Sequence, residues 1–367
     1  MKYNTYMISD ICTFIDYRGK TPPKTSSGIP LITAKIIKNN VIQEPKEFID
    51  ESFYDEWMRR GIPKKGDIVF TTEAPLGEVA RITSDSKMAF AQRVIILEPN
   101  EEILDASYLF YALQDRLLKN RILARSSGTT VFGIKSKELK KVEIDLPCLK
   151  IQKKISNVLL AIDEKISINN LINDNLLQQA QALYVELFIS NASATWQTGH
   201  LSDIITVRYG KDHKKLAEGP YPVYGSGGIM RYVDKYIYDK ESVLIPRKGS
   251  LNNVMYINEP FWSVDTMFFT EMKLPNVAKF VFHFIKRKDL AALNAGSAVP
   301  SMTTDILNSI ELKIPDAYTL AKFEDIVTPM YFSMRQNIEE SDKLAEIRDY
   351  LLPHLISGEL DVSNLDF

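Results

Sequence analysis

"GTTVFGIKSKELKKVEIDLP" at residues 128–147 and "GSAVPSMTTDILNSIELKIP" at residues 296–315 read as two copies of one segment. Gly128 meets Gly296, Val131 meets Val299, Val142-Glu143-Ile144 meets Ile310-Glu311-Leu312 and Pro147 meets Pro315, all at an offset of 296 − 128 = 168. Upstream, "SYLFYALQDRL" from Ser107 aligns with "KFVFHFIKRKD" from Lys279 at an offset of 172, and "ISDICTFIDYRGK" from Ile8 aligns with "LSDIITVRYGK" from Leu201 at 193. The first copy is therefore longer by 193 − 168 = 25 residues, all before Gly128. A repeat on this scale means one structural plan used twice. It predicts a first domain over residues 1–147 and a second over residues 199–315.

The offset of 168 extends into the segment after each copy. From Lys150 to Phe188 there is no Pro or Gly, and apolar residues recur at alternating steps of four and three, the spacing of a coiled-coil seam. The first seam runs through Ile155, Leu159, Ile162, Ile166, Asn169 and Asn173. Adding 168, which is 24 × 7, gives Phe323, Val327, Met330, Met334, Asn337 and Ser341 in the same heptad register. Even the polar interruption recurs. The spacing predicts long helices over 148–190 and 316–357, with a linker at 191–198 and a tail at 358–367. At 1.5 Å per residue a helix of about 40 residues is about 60 Å long. Two such helices, each apolar along one narrow seam, bury it best against each other, and the polar layer would fix their register. Within the domains, "GDIVF", "RVIILEP", "SVLIPRKG" and "DTMFFTEM" read as strands, and "LFYALQDRLLKNRILARS" and "AKFVFHFIKRKDLAAL" as amphipathic helices. The class is mixed α/β.

Composition sets outer bounds. The chain has 367 residues, 45% hydrophobic and 25% charged, as in an ordinary soluble globular protein, with no signal-like or membrane-length apolar run. Cys12 and Cys148 form no metal-ligand cluster, and with four scattered histidines neither a zinc site nor a secreted disulfide scaffold is expected, so a cytoplasmic location is the simplest reading. Net charge is −2 but unevenly placed. Residues 1–147 carry 22 cationic and 20 acidic side chains (+2), 199–315 carry 15 and 12 (+3), 148–198 carry 4 of each, and 316–367 carry 4 and 11 (−7). The acidity sits in the last segment, leaving two mildly basic domains.

Three stretches invite a catalytic reading and lose it. "YRGKTPPK" at 17–24 ends like a P-loop, but Phe14 stands where the first glycine is needed, and Pro22 and Pro23 oppose the helix that should receive the phosphate. "NEPFW" at 258–262 resembles the Asn-Pro-Pro-aromatic loop of amino-methyltransferases, but Glu259 replaces the first proline and no cofactor loop accompanies it. "YGSGGI" at 224–229 lacks dinucleotide spacing. The chain offers no catalytic or metal-site motif. It does offer loops rich in Lys, Arg, Asn, Gln, Ser and Thr, side chains suited to base edges and phosphates. In the first domain the candidates are Lys20, Thr21, Lys24, Thr33, Lys35, Gln92 and Arg93, with Thr129 in a neighbouring loop. In the second they are Lys211, His213, Lys214, Tyr224, Ser226, Arg247, Lys248, Ser250, Asn252 and Asn253, with "IPRKGSLNN" the densest cluster.

Two variable α/β domains, each followed by a long heptad helix, resemble the specificity subunit of type I restriction–modification systems. Residues 219–269, "GPYPVYGSGGIMRYVDKYIYDKESVLIPRKGSLNNVMYINEPFWSVDTMFF", resemble that family's target-recognition domain almost end to end. "RGKTPP" resembles a common opening of such domains, and "LLPHLISGEL" at 351–360 is similar to the end of the family's second helix. The resemblance implies two target-recognition domains with pseudo-two-fold symmetry, each reading half of a split target in double-stranded DNA. The helices would pair antiparallel, set the spacer and dock two methyltransferase subunits, with nuclease–translocase subunits joining that core. It implies no cofactor on this chain: S-adenosylmethionine and ATP would sit on partner subunits. The first domain matches more loosely, with "FTTEAPLGEVA" where the second has "LIPRKGSLNNV". Two competing classes predict different behaviour. A methyltransferase or nuclease with altered motifs would bind cofactor or modify DNA alone, and a coiled-coil interaction protein would retain no DNA sequence.

Overall fold

The structure is a computed structural model describing residues 2–128, 130–293 and 301–364. Thr129 and residues 296–300, which open the second copy of the repeat, lie outside the described residues. The chain divides into two units, residues 1–169 with 339–367 and residues 170–338. Each holds one globular domain and a part of both long helices.

In the first unit a four-stranded antiparallel sheet runs in the order Cys12–Asp16, Val94–Pro99, Ile68–Thr72, Leu76–Arg81. The run "IVFTT" of Ile68–Thr72 is buried at every position, as a central strand covered on both faces requires. A second sheet joins Phe48–Ile49, Ile29–Ile32 and Ala89–Phe90, the last two paired in parallel. Asn4–Met7 pairs with Glu143–Leu146 and closes the domain where its ends meet.

The second unit repeats this plan. Its main sheet runs Ile205–Tyr209, Met267–Met272, Ser242–Pro246, Met255–Ile257, its smaller sheet again contains a parallel pair, Tyr221–Gly225 with Trp262–Ser263, and Thr198–His200 closes on Glu311–Lys313. Matching the parallel pairs gives 223 − 31 = 192, and matching the backbone bonds Thr72 N to Arg93 O and Arg247 N to Thr266 O gives 247 − 72 = 175. Most of the first domain's surplus, 192 − 175 = 17 residues, thus lies between Leu31 and Thr72. There it forms the hairpin Ile37–Lys38 with Val41–Ile42 and the short helix Tyr54–Trp57.

The long helices are Leu149–Val185, continued by a π-helical turn Glu186–Ser190, and Ala317–Ser357. In both units they run antiparallel. In the first, Ile155 and Leu159 share a core with Leu355, Arg348 pairs with Asp163 at 2.8 Å, and Asn169 Nδ2 donates to Ser341 Oγ (3.2 Å) and Glu340 Oε2 (2.8 Å). In the second, Phe188 packs edge-on to Phe323 with Ala180, Val327 and Met330 around them, and Asn337 Nδ2 donates to Asn173 Oδ1 at 2.8 Å. Ile162, Ile166 and Met334 are half-buried along the seam. Both predicted polar interruptions are therefore inter-helix hydrogen bonds. Glu340 is nearly half exposed, so its carboxylate can return to water if the amide is lost. Replacing Asn169 and Asn337 together by Leu should raise the unfolding free energy, by about 1 kcal/mol, while allowing helix register to slip. A fall in stability would show that the amides, and not the apolar seam, hold the pair.

Each helix start is fixed by a side chain. Gln152 is fully buried at the start of the first helix, its amide donating to Ile103 O and Pro147 O and accepting from Asp105 N. Asp316 caps the second helix through Thr319 N and also accepts Trp196 Nε1 from the linker. At the far end Gly358 adopts φ +78°, which terminates the helix, and a Cβ there would strike the Tyr3 hydroxyl.

The domains attach to the helices at equivalent positions with different chemistry. In the first unit Tyr111 Oη donates to Asp163 of the long helix at 2.6 Å, while Arg81 donates to Ser107 within the domain at 2.7 Å. The matching positions in the second unit are His283 (111 + 172), Tyr331 (163 + 168), Tyr256 (81 + 175) and Lys279 (107 + 172). There Tyr331 Oη lies 2.9 Å from His283 Nε2, and the Lys279 ammonium sits over the Tyr256 ring.

Candidate nucleic-acid interface

In the first domain, five chain segments wall a cleft of about 550 Å³. Thr21, Thr33, Lys35, Gln92 and Arg93 line it together with Arg18, Thr72, Glu73, Ala74 and the segment around Gly133. The loop Gly19-Lys20-Thr21 belongs to its mouth. No helix opens there, since the chain passes from strand Cys12–Asp16 to strand Ile29–Ile32, and Thr21 Oγ1 accepts the Gln92 amide at 2.6 Å. Lys20 and Lys24 stand outside the cleft lining, both exposed, and Lys24 pairs with Glu47 at 2.8 Å. Thr33 is buried, so only part of it reaches the cleft.

Gln92 and Arg93 occupy consecutive left-handed conformations, φ +48° and +63°. Their backbone is committed: Arg93 O accepts from Thr72 N (2.7 Å) and Thr72 Oγ1 (3.1 Å), and Gln92 O accepts from Ala34 N. Across the cleft Glu73 Oε1 lies 2.8 Å from Arg93 Nε. The sheet thus holds the loop, with Arg93 exposed and Gln92 half-buried against Thr21.

The second domain builds its loops on the same strands. Arg247 stacks over the Tyr209 ring at 5.3 Å and donates to Asp265 O at 3.3 Å, so the guanidinium is held beside an exposed aromatic face. Lys248 and Ser250 are exposed, and Lys248 bridges to Ser301. Asn253 Nδ2 donates to Ser226 O, tying the turn of the hairpin Tyr221–Gly225 with Gly228–Val233 to this loop. Asn252 is used structurally: its amide donates to Asp289 and accepts from Ala291 N. Tyr224 is buried and its hydroxyl bonds Glu259, so it faces the interior. Lys211 and Lys214 are exposed on a separate loop, where Lys211 O accepts the Trp262 indole and His213 is half-buried with its carbonyl toward Arg231.

"NEPFW" now has a role. Asn258 O and Glu259 receive the Arg335 guanidinium from the second helix, and Phe261 fills the domain core. The motif is a brace. Sequence reading passed over Thr72, Glu73, Arg18 and Asp265. The fold makes Glu73 and Lys248 equivalent: they bridge to Gly133 and Ser301, two positions 168 apart in the repeat, whereas "FTTEAPLGEVA" laid directly on "LIPRKGSLNNV" sets Glu73 against Arg247.

No helix among the described residues is long and apolar enough to cross a membrane. The profile of the family described as "Type I restriction modification DNA specificity domain" matches residues 1–178 and 193–330. The type I restriction enzyme MjaIX specificity subunit of Methanocaldococcus jannaschii is 25% identical over 384 aligned positions, covering 92% of this chain and 88% of that protein. The MjaVIII specificity subunit of the same organism is 20% identical, covering 85% and 86%. The crystal structure of the type I restriction–modification S subunit from M. genitalium superposes with a TM-score of 0.60 at 20% identity, over 96% of each chain, a likeness of fold. With the profile falling separately on each repeated domain, this chain belongs to the family of type I restriction–modification DNA specificity proteins.

Proposed function

We propose that this chain is the non-catalytic specificity subunit of a type I restriction–modification complex. Each domain reads one half of a split target in double-stranded DNA, and the helix pair sets the spacer and docks two methyltransferase subunits, to which nuclease–translocase subunits are added. S-adenosylmethionine and ATP belong to those partners. One observation carries the reading: two domains of the matched family share the same main sheet, smaller sheet and closing strand pair, yet present different polar side chains from equivalent loops, as a reader of two unlike half-targets requires. The near-neutral net charge fits a subunit whose partners supply much of the phosphate contact.

The test is a methylation map of DNA from cells expressing the chain with its methyltransferase, against the methyltransferase alone. Modified adenines in one split motif, present only with this chain, are expected, and exchanging residues 199–315 should change one half of it. If an active methyltransferase yields no such motif, the reading fails. Changing Arg247 and Lys248 to Ala should weaken reading of one half-target by about ten- to a hundred-fold and leave the other half unchanged. A uniform, sequence-independent loss would reduce both residues to phosphate contacts.

A further inference from the structure

The loop Gln92-Arg93 places two side chains with base-reading chemistry on a backbone that disfavours them. Left-handed φ suits glycine and strains a residue with a Cβ, and here two such residues are adjacent. The backbone of this loop is held through its carbonyls, which a Gly-Gly turn would offer equally well, and its side chains add only the Gln92–Thr21 bond and the Arg93–Glu73 pair. Scaffolding alone therefore does not account for Gln and Arg. Their side chains are poised but not consumed. Gln92 spends one amide hydrogen on Thr21, and its Oε1 accepts no hydrogen bond among the described residues. Arg93 is about half exposed in the cleft lining, and its contact with Glu73 is made at Nε, 2.8 Å away, with no hydrogen bond at its two terminal nitrogens among the described residues. A carboxylate behind Nε orients the guanidinium without occupying its bidentate face.

We propose that Gln92 and Arg93 are the base-reading residues of the first half-target. Arg93 takes a guanine through O6 and N7, Gln92 takes an adenine through N6 and N7, and Glu73 positions Arg93. This rests on the specificity function proposed for the chain and deepens it. The second domain uses the same two loops with the charges exchanged: Lys248 stands at the position of Glu73, Arg247 at that of Thr72, and Thr266 at that of Arg93. The cation crosses from one loop to the other, so equivalent loops on a shared plan address different bases.

The experiment is the methylation map repeated with the intact complex carrying Arg93→Ala, Gln92→Ala, or the pair Gln92→Gly and Arg93→Gly, beside thermal unfolding of each chain. Each alanine variant should lower discrimination at one purine position of the first half about ten- to a hundred-fold, with the second half unaltered. Glu73→Gln should give a weaker relaxation at the Arg93 position only. The double glycine variant should unfold at the wild-type temperature or higher while losing both preferences. An unchanged motif with uniformly reduced modification, or an unchanged motif with a lowered unfolding temperature, would overturn the proposal. If the wild-type chain directs no split motif, the function beneath it falls and this falls with it.

Discussion

Lys279→Ala should destabilise the second unit by about 3–5 kcal/mol, the cost of removing one partner from a buried ionic cluster. Lys279 is almost wholly buried, with its ammonium 2.9 Å from Glu241 and 2.5 Å from Glu324 and two tyrosine rings, Tyr256 and Tyr331, beside it. Tyr256 also donates to Glu241, and Thr328 donates to the Glu324 oxygen that Lys279 contacts. The second oxygen, Glu324 Oε2, is buried and has no hydrogen-bond partner among the described residues. Without the lysine, two carboxylates face each other in a site that already leaves one oxygen unsatisfied. For a unit of this size the loss corresponds to a fall of roughly 10 °C in unfolding temperature, measurable by calorimetry. The companion variant Lys279→Met with Glu241→Gln and Glu324→Gln removes all three charges and should recover most of it, since a neutral core of similar volume avoids the desolvation cost. A Lys279→Ala chain within about 1 kcal/mol of wild type would mean that water reaches the cluster and that Lys279 does not anchor the domain to the helix.

The repeat made the architecture legible because it was kept where backbone and packing dictate residue type. The strand "KKVEIDLP" and its copy, and the heptad seams, need apolar side chains at fixed spacing whatever the function. The anchors were hidden for the opposite reason. Tyr111 and His283, or Ser107 and Lys279, occupy equivalent positions, yet a hydroxyl, an imidazole and an ammonium each found different partners from a distant part of the chain. The candidate loops were legible as composition but not as geometry. Tyr224 and Asn252 carry interface chemistry in the sequence, yet one bonds Glu259 in the interior and the other is tied to residues 289–291. Glu73 was passed over because an acidic side chain looks unsuited to a polyanion. Only its 2.8 Å approach to Arg93 brings it to the site.

The second large effect is a pH dependence centred on His283. The ring is fully buried on the helix Ala278–Lys286, with Nδ1 2.9 Å from Gln181 Oε1 and Nε2 2.9 Å from the Tyr331 hydroxyl. A neutral ring meets both, donating from Nδ1 and accepting at Nε2, and so joins both long helices to the domain within this unit. Burial, with a smaller push from the Lys286 charge, lowers its pKa from 6.5 to about 4. Because the unfolded chain binds the proton more readily, stability rises with pH across this window. The contribution is complete above about pH 6.5, declines as pH falls toward 4, and amounts to about 3 kcal/mol. Asp67 in the first unit acts in the opposite sense, since burial raises its pKa from 3.8 to about 6 and the folded state gains from the proton as pH falls. A whole-chain profile would blend the two. The informative quantity is the difference between wild type and His283→Gln in unfolding free energy, measured from pH 4 to pH 7. That difference should change by about 3 kcal/mol over the window, with wild type losing the more on acidification. A difference that does not vary with pH would mean the folded chain accommodates an imidazolium here, and that the contact joining the domain to both helices survives protonation.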